Sequence, residues 1–207
     1  MGLTSYIGEQ FHKPTGFGGR LATFVMNKQN WRQYVGTEAA LELRDTDSVL
    51  DIGFGNGYLL NRLAGRYPCR FYGIDISPDM LAAASRRNRR HTDGGKMSLS
   101  LGSAEQTGLA GGRVDKAYTV NTAYFWTSLD AGLAEIWRVL KPGGVFVNTV
   151  YSKAMLDSLP VTKSGYAKYE LDEYLAAGAR NGFFAAARPI VEGRSYCVIY
   201  TKQETGG

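Results

Sequence analysis

The sequence predicts an α/β fold built on a doubly wound, mostly parallel sheet. Three observations predict it. From Ser48 onward, short Val-, Ile- and Tyr-rich runs alternate with amphipathic segments, the pattern of strands covered by helices on both faces. The first run ends in a glycine-rich turn, Gly53-Phe54-Gly55-Asn56-Gly57, that leads straight into a helix. The last two runs are joined only through Glu192-Gly193. So short a link excludes a crossover and makes that pair antiparallel.

Residues 1–47 precede the first strand. Gly16, Gly18 and Gly19 make the start turn-rich, and Leu21–Asn30 and Trp31–Leu43 are expected to be helical; such a segment suits a lid or cover. The first strand is expected at Val49–Ile52, a helix at Tyr58–Arg66 and a strand at Arg70–Ile74. The next helix, Pro78–Arg90, opens with Ser77 as N-cap and Pro78 in the first turn, both favoured there. Strands follow at Met97–Leu101 and Val114–Val120. Leu129, Leu133, Ile136, Trp137 and Leu140 recur at helical spacing, so Asp130–Leu140 is expected to be a helix that stops at Pro142-Gly143-Gly144.

Val145–Tyr151 is the fifth strand. Residues 152–169 form the longest irregular stretch, and such loops are often functional. Leu171–Asn181 is expected to be a helix closed by Gly182, ahead of strands Phe183–Val191 and Ser195–Lys202. The whole reads as one domain, 1–207: an N-terminal helical cover or lid (1–47), a ligand-binding core (48–151), a substrate-side insertion (152–169) and a C-terminal helix and hairpin (170–207).

Composition excludes several classes. Two cysteines, Cys69 and Cys197, are too few for a disulfide framework and are expected to be free, buried thiols. The N-terminal residues lack the pattern of a signal peptide. No apolar run approaches the roughly 20 residues that span a bilayer, so a cytoplasmic protein without membrane contact is expected. The net charge is +5. Its one dense basic run, Arg86, Arg87, Arg89, Arg90 and His91, falls at a helix end, where cations complement the macrodipole. No metal-binding pattern occurs.

The chemistry is concentrated in the glycine turn and its acidic partner. A glycine turn at the C-terminal end of the first strand lies where doubly wound sheets bind ligands, and glycines let a ligand approach the backbone. The second strand ends in Tyr72-Gly73-Ile74-Asp75, and an acid there can accept hydrogen bonds from a ribose diol. Together they read as a nucleoside site. A dinucleotide fingerprint needs G-x-G-x-x-G; here Tyr58 takes the third glycine's position.

The pattern Asp51-x-Gly53-x-Gly55-x-Gly57 instead resembles the first motif of the class I S-adenosylmethionine-dependent methyltransferases, in particular the small single-domain members. Gly73-Ile74-Asp75-Ile76-Ser77 with Met80, Gly102-Ser103-Ala104-Glu105, Val114–Tyr118, Arg138–Gly144 and the C-terminal hairpin continue the resemblance over roughly residues 48–202. It implies a Rossmann-like doubly wound seven-stranded sheet, mostly parallel with an antiparallel C-terminal strand, and S-adenosylmethionine as cofactor, leaving as S-adenosylhomocysteine. By the same resemblance Gly53, Phe54, Gly55, Asn56 and Gly57 line the methionine and ribose, and Asp75 binds the ribose. Ile76 and Met80 flank adenine, Ser103, Ala104 and Glu105 close its pocket, and Asp51 orients the loop or meets the amino-acid end. Asn121 completes the cofactor-binding set.

The acceptor side is less marked, because a sulfonium methyl is already activated and needs chiefly alignment. Asn121-Thr122-Ala123-Tyr124-Phe125-Trp126 leaves the fourth strand where the family faces the methyl group. Amino-methylating nucleic-acid enzymes carry [D/N]-P-P-[F/Y] there; Thr122 and Ala123 replace both prolines, which argues against nucleic acid. Three aromatics suggest an apolar or aromatic acceptor pocket, and aromatic faces attract a sulfonium. Tyr124 and His12 are the catalytic candidates. Phe17, Tyr124, Phe125, Trp126, Tyr151 and Tyr166 are the substrate-binding candidates. The leading expectation is methyl transfer to O, N or C of a small organic acceptor by a monomer or homodimer. Methylation of a peptide or RNA, supported only by the basic run, and non-catalytic adenosyl binding are the alternatives.

Overall fold

The computed structural model describes residues 30–203. Of the expected elements, the helix Leu21–Asn30 and the site candidates His12 and Phe17 lie outside the described residues, Asn30 apart.

Seven strands form one sheet: β1 Ser48–Ile52, β2 Arg70–Asp75, β3 Met97–Leu101, β4 Val114–Val120, β5 Leu140–Tyr151, β6 Phe183–Val191 and β7 Ser195–Lys202. Their order is β3-β2-β1-β4-β5-β7-β6. The first five run parallel, and β7 pairs antiparallel with both β5 and β6. The order reverses between β1 and β4, and the C-terminal ends of the strands beside that switch are where open α/β sheets bind ligands.

The helices are α1 Trp31–Leu41, α2 Tyr58–Arg66, α3 Pro78–Arg87, α4 Arg89–Asp93, α5 Leu129–Val139, α6 Lys153–Ser158 and α7 Leu171–Arg180. Strand side chains alternate between faces, and the core divides accordingly. Val49 packs with Leu41 of α1, Leu60 and Leu63 of α2 and Ala84 of α3 on one face. Leu50 and Ile52 pack with Leu133 and Ile136 of α5 and Tyr174 and Ala177 of α7 on the other. Helix α1 is tied to the sheet by a buried hydroxyl pair, Thr37 Oγ1 to Thr149 Oγ1 at 2.7 Å. That seat brings Asn30, at the start of α1, over the strand ends.

Three expectations are corrected. The helix expected at Pro78–Arg90 breaks at Asn88, which is fully buried. Its Nδ2 donates to Gly57 O (3.2 Å) and to Ala84 O (2.9 Å), which also accepts from Asn88 N (2.9 Å), so the buried amide ties the end of α3 to the glycine turn. Strand β5 begins at Leu140, not Val145: Leu140 pairs with Val114 before Pro142-Gly143-Gly144 bulges out, and Val145 resumes the ladder opposite Lys116. The 152–169 stretch is not wholly irregular, since it contains α6 and a 3₁₀ turn at Pro160–Thr162. Both cysteines are free and buried. Among the described residues no helix is long and apolar enough to cross a membrane.

Candidate active site

The glycine turn takes its shape from backbone needs. Gly53 has φ +76°, and a Cβ there would stand 2.6 Å from Thr122 Cγ2, so both conformation and space demand glycine. Its N–H donates to Ile74 O at 2.8 Å, fastening the turn to the end of β2. Asp75 completes the fastening. Its Oδ2 accepts from Gly55 N (2.8 Å) and its Oδ1 from Ser77 N (2.9 Å). Burial raises the Asp75 pKa, against the lowering effect of the Ser77, Gly55 and Ile76 amides.

Asp51 lies beneath the turn. Burial pushes its carboxyl up to about 8, opposed by the neighbouring Tyr118 hydroxyl and reinforced by the charge of Asp75. Two buried carboxyl groups side by side favour either a retained proton or a bound positive charge.

These groups border a cavity of about 310 Å³, within the usual range of ligand pockets. Asp51, Gly53, Phe54, Gly55, Asn56, Asp75, Ile76, Met80, Ser103, Ala104, Glu105 and Asn121, all expected from the sequence, line it. Ile76 is apolar yet 65% exposed, as a residue awaiting a flat ring would be. Glu105 is positioned by Thr127 N, which donates to its Oε1 at 2.7 Å. Gly57 is the exception: it does not line the cavity. It begins α2 at φ +70°, where a Cβ would stand 2.5 Å from Asn88 Nδ2 and 2.8 Å from Ala84 Cβ, so it serves the packing of α2 on α3. Three carboxylates, Asp51, Asp75 and Glu105, face this cavity, and among the described residues no lysine, arginine or histidine lines it.

A second cavity of about 560 Å³ adjoins it, sharing Asn30, Asn121 and Phe125. Tyr124, Tyr151 and Tyr166 line this one, whereas Trp126 lines the first. Asn121 stands at the junction in a left-handed conformation, φ +58°, which asparagine tolerates. Its Nδ2 donates to Asn30 Oδ1 (3.1 Å), and its Oδ1 accepts from the Tyr124 hydroxyl (3.2 Å). The Tyr124 hydroxyl in turn accepts from Tyr151 N. Burial raises the Tyr124 pKa well above that of an ordinary phenol. It therefore stays protonated and acts as a donor that holds Asn121, which does not suit it to removing a proton. The basic run 86–91 lines neither cavity.

Sequence reasoning missed Asn30, Tyr34 and Thr122 in the first cavity, and Arg32, Gln33, Arg194 and Ser195 in the second. Thr122 lay within the motif after β4 and was legible by position. The others come from distant segments, and no local pattern marks them.

Residues 49–144 match a family model described as a methyltransferase domain. The chain is 30% identical over 159 residues to the uncharacterized methyltransferase YdaC of Bacillus subtilis, covering 76% of this chain and 85% of that protein. The chain belongs to the class I S-adenosylmethionine-dependent methyltransferases. A further relative of this methyltransferase is the malonyl-[acyl-carrier protein] O-methyltransferase of Serratia marcescens, 29% identical over 154 residues and 74% of this chain. The match covers only 53% of that enzyme, as it covers 44% of the sterol 24-C-methyltransferase of Eremothecium gossypii.

Solved structures share the fold. The methyltransferase in complex with the Haloferax volcanii Trm112 methyltransferase activator superposes with a TM-score of 0.77 at 22% identity, covering 86% of this chain and 92% of that one. The geranyl diphosphate C-methyltransferase of Streptomyces coelicolor A3(2), determined with geranyl diphosphate and S-adenosyl-L-homocysteine, gives 0.74 at 16% identity, covering 85% and 81%.

Proposed function

We propose that this methyltransferase binds S-adenosylmethionine in the first cavity and methylates a small organic molecule held in the second. The observation that carries the reading is the pair of contiguous cavities meeting at Asn30, Asn121 and Phe125. The fit to the cofactor rests on charge and shape. A cavity faced by the carboxyl groups of Asp51, Asp75 and Glu105, with no cationic lining residue among the described residues, suits a positively charged nucleoside and opposes the pyrophosphate of a dinucleotide.

Asp75 receives the ribose hydroxyls, Ile76 and Met80 pack on the adenine, Ala104 and Glu105 close its pocket, and Asp51 faces the amino-acid end. Gly53 and Gly55 keep the backbone close to the ligand. When bound, the cofactor supplies a methyl group on a positively charged sulfur, which departs as a neutral thioether while the acceptor atom forms the new bond. The chain's own work is alignment, worth several kcal/mol of barrier by itself. Asn121, fixed by Asn30 and Tyr124, sets the junction across which the methyl moves, and Phe125 forms its apolar wall. Tyr124 is here a positioning residue.

In the same reading 48–151 is the cofactor core, 152–169 the substrate side and the described part of 170–207 the closing helix and hairpin; the cover expected in 1–47 falls mostly outside the described residues. Calorimetric titration with S-adenosylhomocysteine beside NADH tests the cofactor. Micromolar binding of the first alone is expected. Binding of NADH alone, or of neither, would refute the assignment of the first cavity.

A further inference from the structure

We infer that the acceptor is an organic anion: an apolar body ending in a carboxylate or phosphate, with the anionic end held by Arg194 and Arg32 away from the junction. The inference rests on the reading of the second cavity as the acceptor site, and three observations carry it.

The two cavities are oppositely charged. Among the described residues, the ionisable acids Asp51, Asp75 and Glu105 line the first and no lysine or arginine does; two arginines line the second and no aspartate or glutamate does. Neither arginine makes an ion pair among the described residues, whereas six other arginines do. Arginine is the residue suited to carboxylate and phosphate because its planar fork can bind two oxygens at once.

The arginines line the second cavity and not the first, whereas Asn30, Asn121 and Phe125 line both. Arg194 follows the β6–β7 turn, and its Nη2 touches Met155 Sδ at 3.6 Å. Beside it Ser195 is buried in the cavity wall with no hydrogen-bond partner for its hydroxyl, an uncommon state for a buried polar group. Arg32 stands in the first turn of α1, a helix whose first turn has no acidic residue to offset its positive end.

Most of the remaining lining is apolar or aromatic, Met155, Leu156, Leu159, Val161 and Val191 among it, with Gln33 and Thr162 as further polar members. A molecule matching it must be mostly hydrocarbon with one charged end. The arrangement also orients it. With the anion at Arg194, its far end reaches Asn121 and Phe125, where the methyl group arrives.

The test uses the full chain saturated with S-adenosylhomocysteine and three probes of one chain length: decanoate, decyl phosphate and decan-1-ol. Either anion should bind at least tenfold more tightly than the alcohol, and the tighter of the two identifies the headgroup. Arg194→Leu should weaken the preferred anion about tenfold or more, Arg194→Lys should recover part of the loss, and both should bind S-adenosylhomocysteine as the parent does. Equal binding of alcohol and anions, no binding of any probe, or Arg194→Leu and Arg32→Leu proteins that bind the anion unchanged would each overturn the proposal. Loss of S-adenosylhomocysteine binding in the parent with retained, arginine-dependent anion binding would instead overturn the cofactor reading and leave the anion site standing.

Discussion

A single carboxylate does two jobs at the heart of the first cavity. Asp75 holds the glycine turn through Gly55 N and the start of α3 through Ser77 N, and in the proposed function it also receives the ribose. Hydrogen bonds to charged groups are worth about 1.5–3 kcal/mol. Asp75→Ala is therefore expected to cost about 2 kcal/mol of S-adenosylhomocysteine affinity, with Asp75→Asn in between because it keeps an acceptor oxygen. Calorimetry on the two variants checks this, and an unchanged affinity for Asp75→Ala would mean the ribose lies elsewhere. Asp75 was legible in the sequence because it is the acid that ends the strand after the glycine turn and its helix. Asn30 was not: the residues it meets, Asn121 and Tyr151, lie 91 and 121 positions away, and only the fold brings them together.

At the scale of elements, periodicity located most strands and helices, and it failed where contacts between distant segments decided. The Asn88 break is such a case, and its partner is Gly57. An added methyl at Gly57 meets Ala84 Cβ and Asn88 Nδ2 and puts a Cβ in the left-handed region, which alone costs about 1–2 kcal/mol. Gly57→Ala should lower stability by about 2 kcal/mol or more, a fall in Tm of roughly 4–8 °C for a chain of this size. A Tm matching the parent would show that α2 and α3 can part without cost. The late start expected for β5 failed for a similar reason, since strand pairing of Leu140 with Val114 is invisible to a local pattern. The same region carries a second test. Lys202, nearly buried at the end of β7, donates to Trp137 O (2.8 Å) and Leu140 O (2.7 Å) at the end of α5 and stands over the Trp137 ring. Lys202→Met keeps the length and strands both carbonyls, so about 1–3 kcal/mol should be lost in a denaturant titration; a midpoint at the parent's value would contradict the role.

Across the whole molecule, the mostly parallel sheet with its antiparallel end was legible because the alternation of strand and helix runs and the short 192–193 link each fix part of it, while the opposite charge of the two cavities was not, since it depends on which distant residues share a space. That charge has a global consequence through Asp51. In the unfolded chain its carboxyl ionises near 3.8; in the fold it is pushed up to about 8, with Asp75, Tyr118 and Tyr34 as the titratable groups beside it. Between those values the folded chain holds a proton that the unfolded chain has released. Unfolding then releases a proton, so stability falls as pH rises from about 4 to about 8, by at most about 1.4 kcal/mol per pH unit from this group. Above about 8 both states are ionised and the contribution is flat. A bound cation favours the ionised carboxylate. Saturating S-adenosylmethionine should therefore raise Tm more at pH 8 than at pH 6, and binding at pH 7 should release protons into the buffer. Asp51→Asn has no proton to lose, so its apo Tm should decline less over the same range and its Tm gain on S-adenosylmethionine should not grow with pH. Parent and Asp51→Asn curves that run parallel from pH 5 to pH 8, with and without S-adenosylmethionine, would mean that Asp51 is already ionised in the apo fold and that the cavity draws its preference for a cation from Asp75 and Glu105 instead.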